Sequence, residues 1–361
     1  MWLQRLEVRD LRSIAAAELL LAPGWNLLIG GNGAGKTTVL EAAYLLAHGH
    51  SFRSGAREAL VRQGCGSWSV YGEVASAGRV TRAGLMREGG NLLVRLDGAA
   101  ATAAELVRRV AVLCFGPGSQ DFISGPAELR RRFMDWGVFH VEHAFLDDWR
   151  RYQRAWRQRN AVLRTGAAGG ELDAWDHELV AAAAPLSAAR ERWFERWLPW
   201  VAHYLAAIVP ALGAPAIALY PGHDASRPLA DRVAERRARD LARGYGSVGP
   251  HRADWRLSFR ESLRREHLSR GQEKLCALAC LLAQARLFAE VKGEWPVLCL
   301  DDVASELDRA HRGRLFELLA GIELQVLASF VEAPAELGRM PGETTLFHVE
   351  QGQVRAADII V

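Results

Sequence analysis

Lysine is nearly missing from this chain. Of its 45 basic residues only Lys36, Lys274 and Lys292 are lysines, and the other 42 are arginine. Such a skew reads as genomic base composition, so arginine clusters are discounted wherever charge is taken as a sign of function. With 42 acidic residues, the net charge of +3 is too balanced to mark a nucleic-acid binder by itself. Cysteine is scarce too. Cys65, Cys114, Cys276, Cys280 and Cys299 form an odd, scattered set, with no second pair to complete a zinc site. They read as small buried hydrophobes in a reducing cytoplasm. An apolar leader is not seen: Met1–Glu7 places charges where a signal peptide needs a hydrophobic run. One stretch, Trp197–Gly222, lacks Asp, Glu, Lys and Arg, but Pro199, Pro210, Pro215 and Pro221 interrupt it. Proline inside a helix costs about 3 kcal/mol, so the stretch reads as a buried helix end followed by a strand, with no membrane segment. What remains is 361 residues, 50% hydrophobic and 24% charged, an ordinary soluble composition with core enough for one large or two ordinary domains.

Residues 1–30 read as strands around the Pro23-Gly24 turn, ending in the short apolar strand Leu27-Leu28-Ile29. Directly after it comes Gly30-Gly31-Asn32-Gly33-Ala34-Gly35-Lys36-Thr37-Thr38, and then Val39, Leu40, Ala43, Leu46 and Ala47 recur at helical spacing. The pattern G-x-x-x-x-G-K-T between a strand and a helix is the phosphate-loop signature. Its glycines let consecutive N–H groups converge on phosphate oxygens at the positive end of a helix dipole. Lys36 then bridges the β- and γ-phosphates, and the Thr37 hydroxyl binds Mg²⁺. Residues 69–74 and 92–96 read as short antiparallel strands. From about Asp121 the pattern turns helical: Phe145–Leu163, a Gly-rich turn at 166–170, and Leu172–Val209 broken at Pro185 predict an antiparallel helical hairpin. The Trp193, Trp197, Trp200 stripe is expected in its core.

Far downstream, Val297–Leu300 is an apolar strand ending in Asp301-Asp302, the form of a second phosphate motif: Asp301 near Mg²⁺, Asp302 placed to orient or deprotonate water. Between the two motifs lies Leu268-Ser269-Arg270-Gly271-Gln272, opening another helical run, and Ser305-Glu306-Leu307-Asp308 follows the carboxylates. Four motifs in this order resemble the ATP-binding-cassette ATPases, whose L-S-G-G-Q signature closes over the γ-phosphate held by a partner copy. Transporter cassettes usually carry Asp-Glu and a shorter run than the 29 residues from Gln272 to Asp301. A membrane transporter's ATPase subunit is therefore the runner-up reading. The chain is more similar to the RecF family of bacterial recombination-repair ATPases, through Leu11-Arg12-Ser13-Ile14, His50-Ser51-Phe52-Arg53, residues 124–136, Gly249-Pro250-His251-Arg252-Ala253-Asp254 and residues 300–308.

That resemblance implies an α/β head of ABC-ATPase type, a P-loop NTPase with mixed sheets around a central helix. It would be built from residues 1–120 and 286–361. A second, mostly helical lobe, 121–285, would carry a short antiparallel arm and the signature motif. It implies an ATP-dependent homodimer with Mg²⁺, in which Lys36, Asp302 and a partner's Ser269 act on ATP. The nucleotide would be held by Gly30–Thr38, Arg12, Arg53, Gln120 (as Q-loop residue), Ser269, Gly271 and Gln272, and the metal by Thr37 and Asp301. No switch His follows the next strand, where Ser329 or Glu332 stands instead. Asp302, one methylene shorter than the usual Glu, predicts slow hydrolysis; DNA stimulation, cytoplasmic location, binding to double-stranded, gapped or junction DNA, and partnership with RecR and RecO in RecA loading follow from the same resemblance. Charge adds two clusters of possible DNA contacts, Arg130-Arg131-Arg132 and the helical stripe Arg150, Arg154, Arg157.

Overall fold

The computed structural model describes residues 1–53, 60–166, 169–259, 263–264, 267–334 and 343–357. Two compact units emerge: Met1–Ser119 with Phe288–Val361, and Gln120–Leu287. The first unit opens with strands β1 (Trp2–Leu11), β2 (Ile14–Leu20) and β3 (Trp25–Ile29), then helix α1 (Lys36–His48). There follow β4 (Ser67–Ser76), β5 (Arg79–Glu88), β6 (Asn91–Leu96), β7 (Ala99–Ala100), α2 (Ala103–Arg109) and β8 (Val112–Phe115). In the second unit come α3 (Asp121–Ser124), α4 (Ala127–Val141), α5 (Phe145–Thr165), α6 (Gly170–Ile208), β9 (Pro215–Tyr220), α7 (Leu229–Arg243), β10 (Asp254–Phe259) and β11 (Leu263–Arg264). Helix α8 (Arg270–Lys292) leads the chain back to the first unit, which ends with β12 (Val297–Leu300), α9 (Val303–Glu306), α10 (Arg309–Leu319), β13 (Val326–Phe330), β14 (Thr344–Glu350) and β15 (Gln353–Ala357).

The first unit is two six-stranded sheets, ordered β2-β1-β4-β5-β6-β7 and β15-β14-β3-β13-β12-β8. The former is antiparallel; in the latter β14, β3, β13, β12 and β8 run parallel and β15 closes the edge antiparallel. Helix α1 joins them: Val39, Leu40, Ala43 and Leu46 share one buried cluster with Leu6 and Val70 of the first sheet and Cys299 and Leu327 of the second. Strands buried on both faces read as continuous apolar runs, which is why 297–300 and 25–29 stand out in the sequence. Strand β5 does not. Its arginines 79, 82 and 87 mask the inward alternation of Thr81, Ala83 and Leu85, so the sequence reading passes directly from β4 to β6.

In the second unit the hairpin of α5 and α6 is joined side by side through Arg151–Glu178 and Arg159–Asp176 ion pairs of 2.7 and 2.5 Å. The expected break at Pro185 is absent: α6 runs unbroken for 39 residues through both Pro185 and Pro199. Buried Ala182, Ala183, Leu186 and Ala189 flank Pro185, so packing on both sides outweighs one lost ladder bond. The tryptophan stripe also has a different neighbour. Trp193 and Trp197 stack at 5.4 Å and meet Phe133 of α4, Trp197 meets Trp255 of β10, and its indole N–H reaches the Cys280 carbonyl of α8. A Cβ on Gly137 would come within 2.6 Å of the Trp193 ring, so α4 and α6 touch closely there. This is the core of the unit rather than of the hairpin.

Arg130 corrects the charge-based reading of residues 130–132. It is 1% exposed, is paired with Asp254 at 2.6 Å, and donates to the carbonyls of Phe122, Ile123 and Gly125. A side chain closing five acceptors inside the unit is out of reach of a DNA surface. Arg131 is half-buried and donates to the Ala253 carbonyl at 2.8 Å, whereas exposed Arg132 pairs with Glu128 one turn earlier. Removing one member of a buried pair leaves the other uncompensated, at a cost of about 3 kcal/mol. Arg130→Ala is therefore expected to lower the unfolding free energy by about 3 kcal/mol in denaturant titration, while Arg132→Ala leaves the midpoint nearly unmoved.

Candidate nucleotide-binding site

The phosphate loop hangs between the end of β3 and the start of α1, with Gly33 and Gly35 at φ +76° and +119°. Gly30 is fixed by contact: a Cβ there would lie 2.0 Å from the Val349 carbonyl oxygen of β14. From the other side, the β14–β15 turn supports the loop through Gly352, whose N–H donates to the Ala34 carbonyl at 2.8 Å. Gly31 and Gly33 face open space. The Thr38 N–H turns back to the Gly35 carbonyl, but among the described residues no side chain caps the first turn of α1 and the Lys36 and Thr37 N–H groups have no partner, which leaves them to an anionic ligand.

Lys36, only 8% exposed, donates to the carbonyls of Gly30 and Gly31 at 2.7 and 2.8 Å. Burial lowers its pKa, and the carboxylates of Asp302 and Asp301 work the other way. The ammonium is thus held at the loop, short of counter-charge, as a phosphate ligand requires. Across from it, the parallel register of β3, β13 and β12 brings the strand ends together. Oδ1 of Asp301 accepts from Thr37 Oγ1 at 3.0 Å and from Ser329 Oγ at 2.8 Å. Burial raises the Asp301 pKa; the hydroxyls of Ser329 and Thr37, and Arg53 beyond them, oppose that rise. Its Oδ2 has no hydrogen-bond partner among the described residues. A desolvated carboxylate beside the Thr37 hydroxyl suits a hard divalent cation, so Thr37 and Asp301 fit Mg²⁺.

Asp302 has φ +52° and ψ +43°, a left-handed conformation unusual for a side-chain-bearing residue. Ser329 stabilises it. The same Oγ that donates to Asp301 accepts the Asp302 N–H at 2.7 Å, and Ser329 is fully buried. One hydroxyl therefore sets the relative placement of both carboxylates. Glu332 is exposed and makes no such contact.

Arg12, at φ +50° in the β1–β2 turn, makes a two-pronged ion pair with Glu41, which is fully buried in α1 and also accepts from Ser51 Oγ. Arg12 is thereby anchored, with its side chain 20% exposed. Glu41 escaped the sequence reading, although an acid within the apolar run Val39–Ala43 is its signal. Arg53 is exposed, and its backbone N–H is fixed by Ser51 Oγ at 2.9 Å. Asn32, Gly33 and Ala34 are exposed or nearly so, and Thr38 is buried in α1.

In the second unit, Gln120 opens α3 with its Oε1 buried and without a hydrogen-bond partner. Ser269 precedes α8: Gln272 Oε1 accepts the Ser269 N–H at 2.9 Å, and Ser269 Oγ accepts the Gln272 N–H at 3.3 Å. This reciprocal cap gives Gln272 a helix-starting role. Ser269 and Gly271 are exposed, and among the described residues the Ser269 hydroxyl acts only as an acceptor.

The comparisons fit this arrangement. Residues 2–334 match the family model of the RecF/RecN/SMC N terminal domain. A DNA replication and repair protein RecF from Stenotrophomonas maltophilia (strain R551-3) is 47% identical over 365 residues, covering 99% of this chain and all of its own. The chain belongs to the RecF family. The RecF protein of Xanthomonas euvesicatoria pv. vesicatoria (strain 85-10) is 48% identical over 97% of both chains. Among solved structures, a recombination mediator protein RecF bound to ATP superposes with TM-score 0.88 at 24% identity, covering 99% of this chain and 98% of that one. The Smc head domain of Pyrococcus furiosus, bound to the C-terminal domain of ScpA, superposes with TM-score 0.59 at 13% identity over 99% and 96%. The fold is thus the ABC-type ATPase head of RecF and SMC proteins. RecF relatives spanning the whole chain leave the transporter reading without support, and no helix among the described residues is long and apolar enough to cross a membrane.

Ser329→Ala is expected to lower kcat about ten- to a hundred-fold by loosening both carboxylates, with ATP affinity nearly unchanged. Ser329→Thr, which keeps the hydroxyl, restores most of the rate. Single-turnover hydrolysis beside equilibrium nucleotide titration checks both.

Proposed function

We propose that this RecF-family ATPase of DNA repair and replication works as an ATP-switched clamp on DNA, with a composite site made by two copies. One observation carries the reading: the phosphate loop and both carboxylates lie in one unit, while the Ser269-capped signature helix of the other unit leaves its donor and the Gly271 backbone exposed. Two copies meeting head to head would place the Ser269 hydroxyl of one against the phosphates held by Lys36 of the other. ATP would supply the phosphoanhydride and the charge that makes such closure favourable, and Thr37 and Asp301 would hold a Mg²⁺ ion that neutralises part of that charge.

Within the closed site Lys36 binds phosphate oxygens and Arg53 adds positive charge beside Asp301. Asp302 orients a water and accepts its proton. Its carboxylate is one methylene shorter than the usual Glu, which keeps hydrolysis slow and makes turnover a timer for release. DNA, duplex, gapped or junction, speeds this cycle. The cytoplasm is the expected compartment, and RecR with RecO the expected partners in loading RecA, in keeping with the RecF–ATP relative described within a RecFOR pathway.

Light scattering with Mg²⁺ and ATP is expected to show a doubling of mass, enhanced by short duplex DNA and lost in Ser269→Arg, which still binds ATP. A monomer at saturating ATP would sink the composite site. Asp302→Glu is expected to raise kcat several-fold in steady-state phosphate release; an unchanged rate would show that carboxylate reach does not limit turnover.

A further inference from the structure

The second unit uses its arginines in two ways. Arg151, Arg159 and Arg237 are tied to acids: Arg151 to Glu178, Arg159 to Asp176 and Asp240, and Arg237 to Asp173. These pairs commit Glu178, Asp176, Asp240 and Asp173. Arg154, Arg157, Arg164, Arg239 and Arg243 are all exposed and form no ion pair among the described residues. Arg157 and Arg164 are braced by carbonyls of their own helix, with each Nε donating to the oxygen four residues earlier, Gln153 and Asn160. That leaves the guanidinium ends directed outward.

Two contacts bring the sets together. The Gly244 turn, which ends α7, packs on Arg164, where a Cβ would lie 3.1 Å from Arg164 Cγ. The Gly246 N–H donates to Asn160 Oδ1 at 2.8 Å. The last turn of α5 and the last turn of α7 are thereby joined, and Arg239 and Arg243 lie one turn apart on the latter. On α5, Arg157 and Arg164 are two turns apart on one face, with Arg154 beside them, a run of about 15 Å. Over that length one strand of a duplex offers about four phosphates at 3.4 Å of axis each. Glu171 is exposed at the start of α6, and Asp147 at the far end of α5 pairs with Arg150; within the patch, Glu178 near Arg154 is held by Arg151, and Glu235, one turn before Arg239, is held by Arg227 and Arg232.

We infer that the joined ends of α5 and α7 form a phosphate-tracking surface for duplex DNA, with Arg154, Arg157 and Arg164 along one rail and Arg239 and Arg243 beside it. The inference rests on the DNA-binding reading above and moves its centre away from residues 130–132. It assigns α7 a role that the sequence analysis did not give it. Such contacts carry no base information, so binding is uniform across sequences and strongly salt-dependent.

The test is fluorescence anisotropy of a labelled 30-bp duplex with ATP and Mg²⁺, across several salt concentrations, on the full chain. The variants are Arg157→Ala/Arg164→Ala, Arg239→Ala/Arg243→Ala, and Arg132→Ala for comparison. Each double variant is expected to flatten the slope of log K against log[salt] by about 2, to weaken binding at 0.15 M salt at least ten-fold, and to keep wild-type ATP affinity and melting temperature. Arg132→Ala should leave the slope unchanged. Wild-type binding with both double variants equal to it would overturn this surface alone. No binding by the wild type under any condition would overturn the DNA-binding reading, and the surface with it.

Discussion

A single oxygen, Oδ1 of Asp301, receives hydroxyl hydrogen bonds from two directions: Thr37, from the helix that follows the phosphate loop, and Ser329, from the neighbouring strand. Everything chemical in the first unit is arranged around that atom. It exists as a meeting point only because β3, β13 and β12 lie parallel and in register, so that the end of β3 opens on the same edge as two strand ends hundreds of residues later in the sequence. Burial makes the carboxylate costly to ionise, and that unmet cost favours a cation at the site. The head is a frame that holds one desolvated acid beside one desolvated lysine and leaves both incompletely compensated.

The strain at Asp302 belongs to the same arrangement. A left-handed backbone at a residue with a side chain persists where surroundings over-determine it. Here the Ser329 hydroxyl and the first turn of α9 do so. In cassette ATPases a histidine at the end of this strand usually serves as the switch. This chain has a buried serine there, whose hydroxyl donates to Asp301 and accepts the Asp302 N–H.

How much of this was legible beforehand differs by kind of residue. The phosphate loop, the Asp301-Asp302 pair and the signature are short, contiguous and chemically constrained, so their order alone carried the fold. Glu41 and Ser329 were harder to see. Each acts through a partner distant in sequence, Arg12 in one case and Asp301 in the other, and one-dimensional patterns do not record pairing. Arginine was the worst guide. Arg130 looked like part of a basic cluster and is a buried tie between α3, α4 and β10, whereas Arg239 and Arg243 did not stand out in the sequence and form no ion pair among the described residues. With 42 arginines present, only geometry separates those that hold the fold from those that face outward. Pro185 shows the reverse case, a strong local signal overridden by packing on both of its sides.

The order in which the ribosome delivers these pieces matters. The Leu3 N–H pairs with the side chain of Gln325, 322 residues later, and β3 stays without its neighbours β13 and β14 until those strands have themselves emerged. Residues 120–287, by contrast, hold most of their contacts among themselves and can collapse while synthesis continues. A nascent chain thus has a P-loop sequence from its thirtieth residue onward but nothing to set against it. Premature termination anywhere before β13 yields a fragment with no Asp301–Ser329 hydrogen bond, unable to complete its nucleotide site. Long-range closure of this type is slow, and the nucleotide site is incomplete until β13 has been made.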